Sequence, residues 1–514
     1  MHVETCLELS AARFSGRTAL VCEGRRLSYQ WIEEQSNRLA NALVRRGIER
    51  GDRVAVCLDN SINAVLSIFA IFKVGAVLVM LNPSTGRERL VHIVNDSGAR
   101  MLFLKKSRAA ELETQKAALP SVETVVISGE PGRLFGHDDD CIQPAKRAID
   151  MDIAALLYTS GTTGRPKGVI MTHLNMISAA TSVTEYLRLA PEDVILSVLP
   201  LSSSYGLYQL LTAFKAGAAL VLERSFTYPY VVLEQLSDER VTGFAIVPTI
   251  AAVLLQLDLS NYRFTSLRYL TNAGAALPVE HVPRLRALFP RAELFLMYGL
   301  TECKRVSFLD PNQVAIRPDS VGKAMPNVEA YVVDEHGRRL PPGATGELVV
   351  RGSNVMRGYW KQPEETEKVL RPGPIPGERV LYTGDLFRMD AEGYLYFVGR
   401  RDDMIKSRGE KVSPTEVENV IYRLDGVAMA AVVGVPDPLL GSAVKAILTL
   451  REGSRLTEID VQRHCARYLD DFMVPRLVEF RRSMPMNGAG KIDKRALTGG
   501  KSESSDCVGE RVET

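Results

Sequence analysis

From residue 52 onward the chain switches repeatedly between short β-branched runs and helical patterns, and this alternation constrains the fold more than any other feature. RVAVCLD, GAVLVML, RMLFL and ETVVIS read as strands, with helices before or between them. After a charged loop at 130–148 the pattern returns in DIAALLYTS, DVILSVLP, GAALVLE, VTGFAIVP and SLRYLTN. Stretches at 173–189, 207–214, 229–239 and 279–289 supply the helices between those strands. Alternation on this scale predicts an α/β fold of layered units with largely parallel sheets.

Past residue 320 the texture changes to Gly- and Pro-rich segments with short alternating strands: VEAYVVDEHG, TGELVVRG, LYTGDLFRM and GYLYFVG. These predict a β subdomain that closes a large N-terminal region near residue 400. Residues 403–497 combine a helical pattern at PTEVENVIYRL with strand-like runs at MAAVVGVP and VKAILTL, as expected of a small α+β domain. The last stretch, 498–514, is short of large apolar side chains and is expected to be disordered. With 514 residues and 46% hydrophobic content, the chain is too long for one compact domain.

Charge excludes some partners. The formal charge is +2, from 63 basic and 61 acidic side chains, so neither nucleic acid nor a polyanionic surface is expected. The seven cysteines form no CxxC pair, which argues for a reducing, cytoplasmic setting rather than a disulfide framework or zinc site. The N-terminal MHVETCLELSAARF does not read as a signal peptide. AVLSIFAIFKVGAVLVML is apolar but interrupted by Lys73 and Gly75, so two buried elements explain it better than a membrane span.

The strongest local signal is YTSGTTGRPKG, Tyr158 through Gly168. Gly161 and Gly164 let the backbone curl so that its amides face one centre. Thr159, Ser160, Thr162 and Thr163 add hydroxyls, and Lys167 adds a positive charge. A polyphosphate is the natural ligand, although the order is not the GxxxxGK[ST] of a Walker loop.

With this loop the chain also carries YGLTE at 298–302, YTGDL at 382–386, GRRDDMIKSRGEKVSPTEVE at 399–418 and NGAGKIDKRAL at 487–497. In these motifs, their order and their spacing it resembles the acyl- and aryl-CoA synthetases, peptide-synthetase adenylation domains and luciferase. The resemblance spans residues 10–497. It implies an N-terminal domain, 1–401, that binds ATP and acid, and a mobile C-terminal domain, 402–497, that rotates between two half-reactions.

The resemblance also implies roles. Asp385 would hold the ribose hydroxyls with its paired acceptor oxygens, with Arg400 nearby. Glu302 would take Mg2+, an ion that prefers carboxylate, phosphate and water oxygens. Thr301 would contact phosphate or carboxylate, and Tyr298 would pack near adenine beside Gly274, Ala275 and Ala276. Lys491 would offset the charge built up when a carboxylate attacks the α-phosphate. Asp402 would be the hinge, with Lys406, Arg408 and Gly409 on a loop facing the site during thioester formation.

The acyl pocket is expected from elements near 200–210, 246–251, 271–276 and 297–305, including Ser203, Ser204, Tyr205 and Cys303. Amino-acid-activating relatives commonly place an Asp where Ser204 aligns. Its absence argues against an α-ammonium substrate, whose buried charge would lack a partner. Ser202, Ser203 and Ser204 with Tyr205, Leu207 and Tyr208 suit an uncharged acyl or aryl group, with or without one polar substituent. The continuation YGLTECKRVSFLDP resembles stand-alone ligases of secondary metabolism or polysaccharide export. The acceptor is expected to be the thiol of CoA, with phosphopantetheine on a separate carrier protein as the alternative. A catalytically silent adenylate-binding scaffold is a reading that retention of Lys167, Glu302, Asp385 and Lys491 opposes.

Overall fold

The computed structural model describes residues 1–108, 116–129, 140–145, 148–159, 166–408, 410–437, 441–488 and 490–498. The chain divides into two compact units, Met1–Phe397 and a second that opens at Val398. Three sheets build the larger unit among the described residues.

The first runs Gly358–Tyr359, Lys167–Thr172, Ile153–Thr159, Val77–Met80, Arg53–Cys57, Met101–Lys105, Thr124–Ser128. It is parallel from Ile153–Thr159 onward, and Lys167–Thr172 folds back antiparallel on Ile153–Thr159. The second sheet carries a parallel run of Glu293–Tyr298, Tyr269–Asn272, Gly243–Ile246, Val194–Ser197, Ala219–Leu222 and Thr18–Cys22. Most residues of these strands are buried, and apolar side chains run through them almost without alternation. The third sheet is antiparallel through Val328–Val333, Thr345–Gly352, Arg379–Met389 and Leu370–Pro372, and the strand that begins at Leu395 pairs with Arg379–Met389.

The apolar stretch interrupted by Lys73 resolves into the helix Ile62–Val74 and the strand Val77–Met80. Ser61 caps the helix by accepting from the Ala64 amide, and Gly75, at φ +77°, ends it. Every residue of the helix is buried, and full burial of side chains such as Phe69 and Phe72 contributes roughly 1.5–3 kcal/mol each. Lys73 is tolerated there because its ammonium donates to Glu33 at 2.7 Å and to Glu8 at 3.4 Å. Among the described residues no helix is long and apolar enough to cross a membrane.

The smaller unit packs the helices Pro414–Tyr422 and Glu458–Tyr468 against a sheet whose long hairpin is Val427–Asp437 and Gly441–Leu450. Its core includes Ile405, Val417, Ile421, Val432 and Leu448. The expected helical pattern at PTEVENVIYRL and the two strand-like runs after it form these elements.

Candidate active site

The parallel strands of the second sheet end on one side, where open α/β sheets present their ligand sites. Glu293–Tyr298 delivers Tyr298 there, and the chain turns through Gly299 and Leu300 into a short 3-10 turn, Thr301–Cys303. The Tyr298 hydroxyl donates to Asp385 Oδ2 at 2.6 Å. Asp385 is buried in the long strand Arg379–Met389. The preceding Gly384 stands at φ +72° and donates its amide to Glu347 Oε1 at 2.9 Å. That left-handed step suits glycine and fixes the direction in which Asp385 leaves the strand. Tyr298 therefore touches the proposed ribose ligand directly.

Glu302 is held in the same manner by a second tyrosine. Tyr359 donates its hydroxyl to Glu302 Oε1 at 2.9 Å, while the Met356 amide donates to the Glu302 carbonyl at 2.7 Å. Tyr359 sits on the edge strand beside Val169, two residues from Lys167. The Lys167 ammonium lies 5.2 Å from the Tyr359 ring centre and donates to Glu365 Oε2 at 2.6 Å. Lys167 and Lys368, both donating to Glu365, pull its carboxyl down to about 2. One tyrosine thus links Lys167 to the glutamate of YGLTE. Thr159 pairs with Lys167 in the hairpin, so the two flanks of the loop lie side by side. Ser160, Gly161, Thr162, Thr163 and Gly164 lie outside the described residues.

Beyond Glu302 the backbone does something the sequence does not announce. Lys304 has φ +43° and ψ −60°, and the Arg305 amide donates to the Cys303 carbonyl at 2.6 Å. This is a γ-turn of the rarer, strained hand. Asn354 clamps it by donating to the carbonyls of Cys303 and Arg305, each at 2.6 Å. A Cβ on Gly299 would stand 2.4 Å from the Lys304 carbonyl oxygen, so the close approach requires glycine. The turn sends Lys304 and Arg305 into the protein, where they are 4% and 3% exposed. The Lys304 ammonium lies 5.2 Å from the Tyr205 ring centre and 4.7 Å from that of Tyr208, and the Arg305 guanidinium 5.2 Å from Tyr205. Tyr205 also bonds the Thr271 side chain at 2.7 Å. Three of the four expected pocket elements therefore meet at Tyr205.

The other pocket residues divide by role. Ser203 spends its hydroxyl on structure: it donates to the Pro200 carbonyl at 2.8 Å and accepts from the Gly206 amide at 3.0 Å, capping the helix Ser204–Ala216. Ser204, half-buried, opens that helix, and Tyr205 follows one residue later inside the core. Cys303 is fully buried, and burial pushes its thiol well above the ordinary range. It packs within the core. Gly274, at φ +93°, follows the strand Tyr269–Asn272, with Ala275 and Ala276 exposed beside it.

Within the smaller unit, Asp402 lies exposed in the 3-10 turn Arg401–Asp403, just after the exposed Arg400. Lys406 is exposed on the strand Ile405–Ser407, and Arg408, at φ +54°, pairs with Asp471. Gly409 lies outside the described residues. Lys491 closes a tight turn in which its amide donates to Asn487 Oδ1 at 3.1 Å and Asn487 donates back to its carbonyl at 2.8 Å.

Sequence reasoning missed Tyr359, Glu365, Asn354 and the inward course of Lys304 and Arg305. The first three lie outside the quoted motifs. The last two sat inside one, but a γ-turn has no residue signature.

A large α/β unit with its charged groups gathered at strand ends, followed by a small α+β unit, defines an adenylate-forming enzyme. The chain belongs to the AMP-binding enzyme family, which matches residues 7–360, and the AMP-binding enzyme C-terminal domain matches 416–491. It is an ATP-dependent, AMP-forming acid–thiol ligase that works through an acyl-adenylate. It is 35% identical to a feruloyl-CoA synthase of Amycolatopsis sp over 487 residues, 93% of this chain and 94% of the relative. It is 33% identical to the fatty acid–[acyl-carrier-protein] ligase ScoC of Streptomyces coeruleorubidus, over 93% of this chain and 92% of that one. Among solved structures it resembles the anthranilate CoA ligase AuaEII in complex with anthranoyl-AMP, with TM-score 0.90, 28% identity and coverage of 97% and 96%.

Proposed function

We propose that the chain activates a small carboxylic acid with ATP and passes the acyl group to the thiol of CoA. The observation that carries this reading is the continuous contact from Lys167 through Tyr359 to Glu302, together with the Tyr298–Asp385 bond. Phosphate, metal and ribose ligands then share one side of the larger unit. A carboxylate oxygen of the acid attacks the α-phosphorus, the bond to the bridging oxygen breaks, and pyrophosphate leaves. The thiol sulfur next attacks the acyl carbon, its proton passes to solvent, and AMP departs.

Asp385 receives the ribose hydroxyls, Tyr298 holds Asp385 and packs near adenine with Gly274, Ala275 and Ala276, and Lys167 faces the phosphates with the loop at 159–164. Thr301 contacts phosphate or carboxylate. Lys491 offsets the negative charge of the attacking carboxylate and the α-phosphate. Magnesium typically takes one or two carboxylates and completes its shell with phosphate and water, so the single carboxylate of Glu302, oriented by Tyr359, fits that role. The ion supplies charge neutralisation on the phosphates when bound. Between the two steps the C-terminal domain, 402–497, pivots near Asp402 and brings the loop of Lys406, Arg408 and Gly409 into play.

The described cysteines are all free thiols, which supports a cytoplasmic setting. The likeness to ScoC keeps a carrier-protein phosphopantetheine as the second acceptor. The test is acid-dependent ATP–pyrophosphate exchange, repeated as thioester formation with CoA and with carrier proteins. Thioester on CoA at rates matching adenylation is the expected result. Exchange with no thioester on CoA, but transfer to a carrier, would replace the acceptor, and absence of exchange with every acid would defeat the reading.

A further inference from the structure

The acyl side of the site holds buried polar groups that the protein itself does not satisfy. Arg305 is 3% exposed, its Nε has no hydrogen-bond partner, and among the described residues no carboxylate lies within ion-pair distance of it. The Tyr208 hydroxyl, the Ser197 hydroxyl and Asn272 Oδ1 are likewise buried without a partner. Ser197 and Asn272 end the parallel strands Val194–Ser197 and Tyr269–Asn272, on the side where Tyr298 emerges. Burying a guanidinium without an anion is costly, and the tyrosine faces offset only part of that cost. The strained γ-turn at Lys304, clamped by Asn354, is what forces both cations inward. Strain and desolvation persist together at one point where a ligand would relieve the second.

We propose that Arg305, with Lys304 and the Tyr208 hydroxyl, binds a second carboxylate on the substrate, so that the enzyme activates a dicarboxylic acid at one end and holds it by the other. The proposal rests on the acid-activating function above and narrows its substrate class. It revises the expectation of an uncharged acyl group, which was drawn from the serines and tyrosines of the 202–208 segment alone. An ammonium-bearing acid is disfavoured further, because two cations already face Tyr205. Arginine matches a carboxylate with paired donors, whereas the neutral end of a monocarboxylic acid would leave the Arg305 Nε–H unpaired.

The test is pyrophosphate exchange by the full chain with matched pairs: hexanoate against adipate, and benzoate against benzene-1,3-dicarboxylate. The dicarboxylate of at least one pair is expected to exceed its partner in kcat/KM by about 100-fold, the upper end of what a hydrogen bond to a charged group contributes. Arg305→Met should collapse that ratio by a similar factor, and Arg305→Lys should restore part of it. Should Arg305→Met fail to fold, Tyr208→Phe carries the test through a several-fold fall in the same ratio. A wild type that prefers the monocarboxylic member of both pairs, or a ratio unmoved by Arg305→Met, overturns the proposal. Exchange with monocarboxylic acids alone sinks the second carboxylate and leaves acid activation standing, whereas exchange with no acid of either kind removes both.

Discussion

The charged groups on either side of the YGLTE turn are supported in opposite ways. On the proposed nucleotide side, each is tied to a partner within the protein: Asp385 to Tyr298, Glu302 to Tyr359, Lys167 to Glu365. On the proposed acyl side, Arg305 lies on a tyrosine face with its Nε unbonded. The first region is organised before any ligand arrives and spends little reorganisation on binding. The second bears a desolvation cost that a complementary group would relieve, so under the proposal binding there would distinguish one acid from another. The nucleotide side should therefore respond to mutation equally for all acids, and the acyl side unequally.

The largest effect is expected at Lys491. Removing one positive charge from a developing phosphoryl transition state costs on the order of 100- to 1,000-fold. Lys491→Ala should lower adenylation by that factor for every acid alike, while preformed acyl-adenylate is still converted to thioester at an appreciable rate. Single-turnover measurement of both half-reactions checks this. A loss that varied strongly from acid to acid would break the comparison, and equal losses in both half-reactions would remove Lys491 from the adenylation step.

A smaller and more local effect follows at Tyr298. Its hydroxyl donates to Asp385 Oδ2, and a hydrogen bond to a carboxylate is worth about 1.5–3 kcal/mol. Tyr298→Phe keeps the ring against Phe387, at 4.7 Å between centroids, and removes only the bond. The KM for ATP should rise about 10-fold with the preference among acids unchanged. Steady-state kinetics with two acids of different charge would show whether nucleotide and acyl sides are indeed separable.

The same division explains what the sequence could disclose. Buried strands such as VLVM and the apolar helix Ile62–Val74 were readable because their composition and length leave few other structures. The motif residues were readable because each sits in a contiguous signature. Tyr359 and Glu365 were not, since they reach Glu302 and Lys167 only after an edge strand pairs Tyr359 with Val169 and a short helix follows it. Ser203 illustrates the converse. Its residue type suited a pocket, but its place one residue before a helix makes it a cap. Arg305 lay in plain view within ECKRV, and only the backbone turn at Lys304 tells that it points inward.

The smallest effect expected concerns Glu365, which sharpens how the nucleotide side is balanced. Its carboxylate occupies the Lys167 ammonium at 2.6 Å, so an arriving phosphate must compete with it. Lys167 is 13% exposed and Glu365 29%, and a pair this open to water is worth little, so Glu365→Gln should tighten ATP binding by only about 3-fold. The pH dependence carries the sharper content. The carboxyl is lowered from 4.5 to about 2, chiefly by the bond from Lys167, so the pair's contribution is complete above the unfolded value near 4.5 and is lost as pH falls towards 2. The ratio of ATP dissociation constants between wild type and Glu365→Gln should accordingly hold steady from pH 8 down to 4.5, measured by titration calorimetry. A carboxyl titrating at its ordinary value would be half neutral at 4.5, and the ratio would already have fallen there. That decline would mean Lys167 is not held by Glu365 in solution, and the nucleotide side would then carry a cation as unsatisfied as Arg305.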